Sequence, residues 1–154
     1  MIYQQRRRYD EAVARFRKAV EIDAGEVDAH YQLGRIARAQ GRLGDALESL
    51  ERVIALDEKH SLSEVWREVG AVYLEMDRAE EARAALGKYV ERREYDPEGL
   101  YWYGKALARL GREKEAGEAF DRAMEAVETM APHRRGQVRQ WGGRARAELK
   151  RLRG

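Results

Sequence analysis

Cysteine is absent from the 154 residues, which excludes disulfides, thiolate metal sites and cysteine nucleophiles. Asparagine is absent too, and proline occurs only twice. With few breakers, and with alanine, leucine, glutamate and arginine dominant, the composition favours helix throughout. No run of β-branched residues lies between turn signals, so no sheet is expected. No apolar stretch approaches the roughly eighteen residues of a membrane-crossing helix, and no charged-then-apolar leader opens the chain. A cytoplasmic location is the resulting expectation.

The three histidines, His30, His60 and His133, lie far apart in no ligand pattern, so neither metal nor cofactor is expected. There is no Ser-His-Asp order in an elbow context, no G-x-x-x-x-G-K-[ST] and no H-E-x-x-H. Adjacent carboxylates such as Glu80-Glu81 sit among arginines on helix surfaces, where they read as solvated pairing partners. The chain is therefore expected to be no enzyme, with no catalytic residues.

What the sequence has in abundance is charge. Charged residues make up 38% of it, with 24 arginines against 6 lysines. Together with the missing asparagine, this bias fits a high-GC bacterial genome or a thermophile. The net charge of +2 is uneven. Residues 131–154 hold eight Arg/Lys and one acid, Glu148, leaving 22 basic against 27 acidic groups in the first 130 residues. The basic end reads as a solvated helix face or as a contact for an acidic partner, nucleic acid or an anionic membrane.

Glycine recurs where a helical pattern should avoid it, at a cost of about 1 kcal/mol each relative to alanine. Gly34, Gly70 and Gly104 stand 36 and 34 residues apart, and Ala12, Ala46, Ala82 and Ala116 are separated by 34, 36 and 34. Four residues beyond each alanine comes a large apolar residue: Phe16, Leu50, Leu86 and Phe120. Gly34, Gly70 and Gly104 fit a close helix–helix approach against Ala46, Ala82 and Ala116. Gly41, Asp77 and Gly111 fit the left-handed residue that ends a helix. Gly44 fits no such role. Ser61-x-x-Glu64 reads as a capping box, and Asp96-Pro97 as an N-cap followed by the first helical position.

This period and residue order resemble the tetratricopeptide repeat (TPR), a helix–turn–helix unit of 34 residues. The resemblance implies an all-α, right-handed superhelix with full units at 27–60, 63–96 and 97–130, a partial N-terminal unit over 1–24 and a basic capping helix over 131–154. Glu58, Glu94 and Glu128 stand where the family has its closing proline. Helices are expected near 9–22, 26–40, 43–56, 62–76, 79–93, 97–110, 113–129 and 133–152. Ahead of residue 9 only the end of a first helix, "MIYQQRRR", is left. Val13, Phe16, Ala19 and Val20 are thus expected to be bare and open to self-association. In the last helix Val138, Trp141, Ala145, Leu149 and Leu152 form one apolar stripe, which Gly142-Gly143 should weaken or kink. His30, Trp66 and Trp102 read as packing residues.

In the family, first helices line a concave groove that holds a peptide. Carried over position by position, that arrangement assigns to the groove Tyr31, Arg35, Arg38 and Ala39, then Arg67, Ala71, Leu74 and Glu75, then Tyr101, Lys105, Ala108 and Arg109. Five cations against one anion, with two tyrosines, suit an acidic, partly apolar peptide. The family's lysine–asparagine carboxylate clamp is not expected, because Gln32, Glu64 and Glu68 stand at comparable positions. The resemblance thus implies a non-enzymatic protein-interaction scaffold. Alternatives are a docking or regulatory piece of a larger enzyme or secretion complex, and RNA binding through the basic last helix, although nothing here matches a one-base-per-repeat code.

Overall fold

The computed structural model describes residues 3–61 and 63–154. Among them are eight helices: α1 Tyr3–Ile22, α2 Val27–Ala39, α3 Leu43–Leu56, α4 Glu64–Glu75, α5 Ala79–Arg92, α6 Pro97–Arg109, α7 Glu113–Thr129 and α8 Pro132–Arg153. The fold is all-α, made of stacked helix–turn–helix repeats followed by a C-terminal helix. Helix boundaries lie within two residues of expectation for α2, α3 and α5–α8. The expected start of the fourth helix, Leu62, lies outside the described residues, as do Met1 and Ile2 of the N-terminal remnant.

The chain divides into two compact units, Met1–Val72 and Tyr73–Gly154. In the first, α2 packs on α1 and α3, with Leu50, Val53, Val65 and Val72 wholly enclosed. In the second, α6 packs on α5, α7 and α8, and α7 packs on α8, around Leu86, Tyr89, Leu100, Leu107 and Phe120.

Where two helices meet, the turn residue decides the outcome. Gly41, Asp77 and Gly111 all have left-handed backbones, at φ of 76°, 59° and 77°. Thirty-four residues before Gly41 stands Arg7. A left-handed conformation costs a side-chain-bearing residue about 1–2 kcal/mol, and nothing between residues 3 and 22 is a glycine or proline. The expected turn before residue 9 is therefore absent, and Tyr3–Ile22 is one continuous helix of 20 residues. An Arg7–Glu11 pair at 3.3 Å, one turn apart, spans the place where that turn would fall. Against α2, Val13 is buried, and Phe16, Ala19 and Val20 are half-buried.

Gly34 and Gly104 make room above all for the large residue, and at Gly34 the Ala46 carbonyl oxygen is close as well, 3.4 Å from where a Cβ would stand. A Cβ on Gly34 would lie 2.7 Å from Cγ of Leu50, and one on Gly104 would lie 2.6 Å from Cε1 of Phe120. Asp96 caps α6 as expected, accepting from the Gly99 amide at 3.3 Å. The same carboxylate accepts the hydroxyl of buried Tyr89 at 2.6 Å. Ser61 departs from its expected role. Its backbone is left-handed, at φ of 53°, and its hydroxyl donates to the Glu64 carboxylate at 3.2 Å instead of accepting a helix amide. His30 meets the Ala24 carbonyl at 2.9 Å, and the Trp66 indole donates to the Glu58 carbonyl at 3.0 Å.

The last helix is not interrupted by Gly142-Gly143. Gly142 lets α8 approach Val127 of α7, whose Cγ2 would lie 3.3 Å from an added Cβ. Ala145 and Leu149 are buried. The end of α7 is closed by Arg135, which donates to the carbonyls of Met130 and Glu128, both at 2.8 Å.

Candidate functional site

In the first unit, Tyr31, Arg35 and Arg38 recur at intervals of four and three residues, so they share one side of α2. Arg67 stands on α4. Tyr31 is only 4% exposed, and its ring packs edge-on against His60 at 5.0 Å. The Arg35 guanidinium lies over that ring, 5.7 Å from its centre, and its side chain is 52% exposed. Between the arginines sits a residue the groove reading left out, the buried Glu68. It accepts from Arg38 at 3.0 Å and stands 3.8 Å from Arg35. Arg67 lies 3.8 Å from Glu64. Glu68 and Glu64 thus lie among the three arginines.

Burial, followed by the Glu68 charge, pushes the Tyr31 phenol from 10.0 up to about 12. The sign follows from linkage: between those values the unfolded phenol ionises while the folded one stays neutral. Stability is therefore complete below pH 10 and falls as the pH rises towards 12. A phenolate-absorbance titration should show a late phase with a midpoint near 12, and Tyr31→Phe should remove it.

In the second unit, Leu74 is 4% exposed and belongs to a cluster with Ala82, Leu86 and Ala106. Tyr101 is 7% exposed, and burial raises its phenol above the ordinary value, with Glu148 adding to the rise. Its ring meets those of Trp102, Trp141 and Phe120 at 5.0, 5.5 and 6.0 Å. Trp102 also donates to Glu98 at 3.2 Å. Lys105 donates to Glu148 of α8 at 3.1 Å, a carboxylate that also stands 3.8 Å from Arg151. Arg109, with a side chain 43% exposed, donates to the Leu74 carbonyl at 2.9 Å and to Asp77 at 3.4 Å.

The structure thus separates the carried-over residues into two kinds. Tyr31, Leu74 and Tyr101 are packing residues whose faces are already covered. Arg38, Arg67 and Lys105 are partly buried beside carboxylates, while the side chains of Arg35 and Arg109 are half-exposed. Glu64 and Glu68, spaced i,i+4, were a readable signal for one acidic side on α4. Glu148, 43 residues from Lys105, had none. Among the described residues no group of three or more His, Asp or Glu could hold a metal ion, and no helix is long and apolar enough to cross a membrane.

None of the curated proteins matches the chain. Solved structures match it closely in shape. MamA is 20% identical with a TM-score of 0.71, over 100% of this chain and 99% of its own. PcrH from Pseudomonas aeruginosa is 19% identical with a TM-score of 0.72, over 83% of this chain and 92% of its own. YrrB, described as a TPR protein with an unusual peptide-binding site, is 21% identical with a TM-score of 0.71, over 96% of this chain and 72% of its own. Two family models, both described as tetratricopeptide repeat, account for residues 3–68 and 70–131. With those matches and the repeated glycine–turn–alanine geometry, the chain belongs to the tetratricopeptide repeat family.

Proposed function

We propose that the chain is a non-enzymatic scaffold that holds a protein or peptide segment carrying carboxylates, with Arg35 and Arg109 as its open contacts. The observation that carries this reading is the exposure of two arginine side chains, 52% at Arg35 and 43% at Arg109. Glu68 is shared by Arg35 and Arg38, and the Arg35 side chain, with its guanidinium over the Tyr31 ring, stays half-exposed. A partner carboxylate can engage that free edge bidentately without displacing Glu68. Arg109, held by a backbone carbonyl and the solvent-exposed Asp77, offers a second such edge in its own unit. The repeat units are read as 27–60, 63–96 and 97–130, with residues 131–154 as the cap. Peptide recognition by relatives of the same fold supports the reading: a complex of PcrH with the chaperone-binding region of PopD shares it.

Arg38 is the wrong place for a charge reversal, because a glutamate there would be held partly buried against Glu68 and disturb folding, whereas one at the half-exposed Arg35 position, farther from Glu68, can turn into water. Arg35→Glu and Arg109→Glu are the informative variants. Against an array of acidic peptides, each should weaken binding by about tenfold and flatten its dependence on salt. Binding that prefers neutral peptides, or that neither variant changes, overturns the proposal.

A further inference from the structure

The basic face of α8 has a geometry independent of the site above. The helix gives its apolar side, with Ala145 and Leu149 buried, to α7 and α6. Several of its cations are engaged within the second unit. Arg135 holds the end of α7, Arg144 lies over the Trp141 ring, and Arg153 donates to Asp121 at 3.0 Å. Arg151 stands beside Glu148. Arg139, Arg146 and Lys150 are exposed and have no ion pair among the described residues.

These three residues are separated by seven and four positions. At about 100° per residue they fall within an arc of about 40°, in a straight row about 16 Å long. Glu148, the one acid of the helix, points to Lys105 and does not compete for them. Between Arg139 and Arg146 the row is bare, since nothing lies within 4 Å of where a Gly143 side chain would be.

We propose that this row docks an acidic α-helix of a partner protein, with carboxylates at i, i+7 and i+11. Seven- and four-residue steps are the repeat by which one helix runs alongside another, so a partner helix meets all three cations without bending. Guanidinium forks suit carboxylates, and the bare stretch at Gly143 lets the partner backbone come close. A membrane is disfavoured because the apolar side of α8 is already spent on α6 and α7. Single-stranded RNA is disfavoured because the row carries no aromatic ring on which bases could stack.

The test uses the whole chain and a fluorescent synthetic helical peptide of about 20 residues with glutamates at those spacings. A scrambled peptide of equal charge, oligouridylate and a short RNA duplex serve as competitors. The patterned peptide should bind the native chain, still bind R35E/R109E, in which the other site is disabled, and bind about tenfold more weakly once R139Q/R146Q/K150Q is added to either background. The glutamine variant keeps helix propensity at exposed positions, and circular dichroism should match the native spectrum. No binding, equal binding of the scrambled peptide, or binding indifferent to the triple change overturns the proposal. RNA binding tighter than the peptide and lost in the triple variant also overturns it, making the face a nucleic-acid surface. Loss in R35E/R109E alone overturns it as well, by placing the peptide at the other site.

Discussion

A Gly104→Leu variant will melt well below the native chain, and a Gly44→Ala variant will not. An added Cβ at Gly104 would stand 2.6–2.9 Å from three ring atoms of Phe120, and that ring is wholly enclosed. A leucine there forces the ring, or α6 and α7 themselves, to move, and overpacking of this kind costs about 1–3 kcal/mol. For a chain of this size each 1 kcal/mol moves the melting temperature by roughly 2–4 °C. Gly44 has nothing within 4 Å of its missing side chain, so alanine there gains up to about 1 kcal/mol of helix propensity. Thermal melts of the two variants measure the contrast directly; equal shifts would mean that the glycines have been assigned the wrong roles.

Glu68→Ala should destabilise the protein more than any other single charge removal in the first unit. Its carboxylate is 6% exposed and serves Arg35 and Arg38 together. Breaking a buried pair costs about 3–5 kcal/mol. The expected loss here is nearer 2–3 kcal/mol, because both arginines keep some contact with water. Replacing Glu68 and Arg38 together by methionine should recover much of the loss, since the buried carboxylate then leaves together with its nearer arginine. Denaturant titrations of Glu68→Met, Arg38→Met and the double methionine variant form a cycle that isolates the coupling. Additive losses would show that the pair is decorative.

The helical framework was legible in the sequence because its signals are local. A glycine at φ of 76° or 77° must be small wherever the rest of the chain lies, and Asp96-Pro97 announces a helix start by its own chemistry. The first helix was misread because a repeat was extended past the point where its turn residue gave way to Arg7. The candidate site was only partly legible. Helix periodicity places Tyr31 and Arg35 on one side of α2, but not how far that side is covered. Whether an arginine is open or compensated depends on the rotation of the neighbouring helix, and this is why Glu68 and Glu148 were missed as partners. Tyr31 and Tyr101, which resemble contact residues in composition, were claimed by packing instead.

The ring cluster of the second unit has an optical consequence. Tyr101, Trp102 and Trp141 have ring centres 5.0–5.7 Å apart, close enough for their electronic transitions to couple. Two of these rings come from α6 and the third from α8, so the coupling requires the last helix to be seated. Near-ultraviolet circular dichroism reads such fixed ring packing and fades when packing loosens while helix content persists. A fade in the coupled band with the far-ultraviolet signal intact would therefore register α8 lifting from α6 without labels or engineered probes.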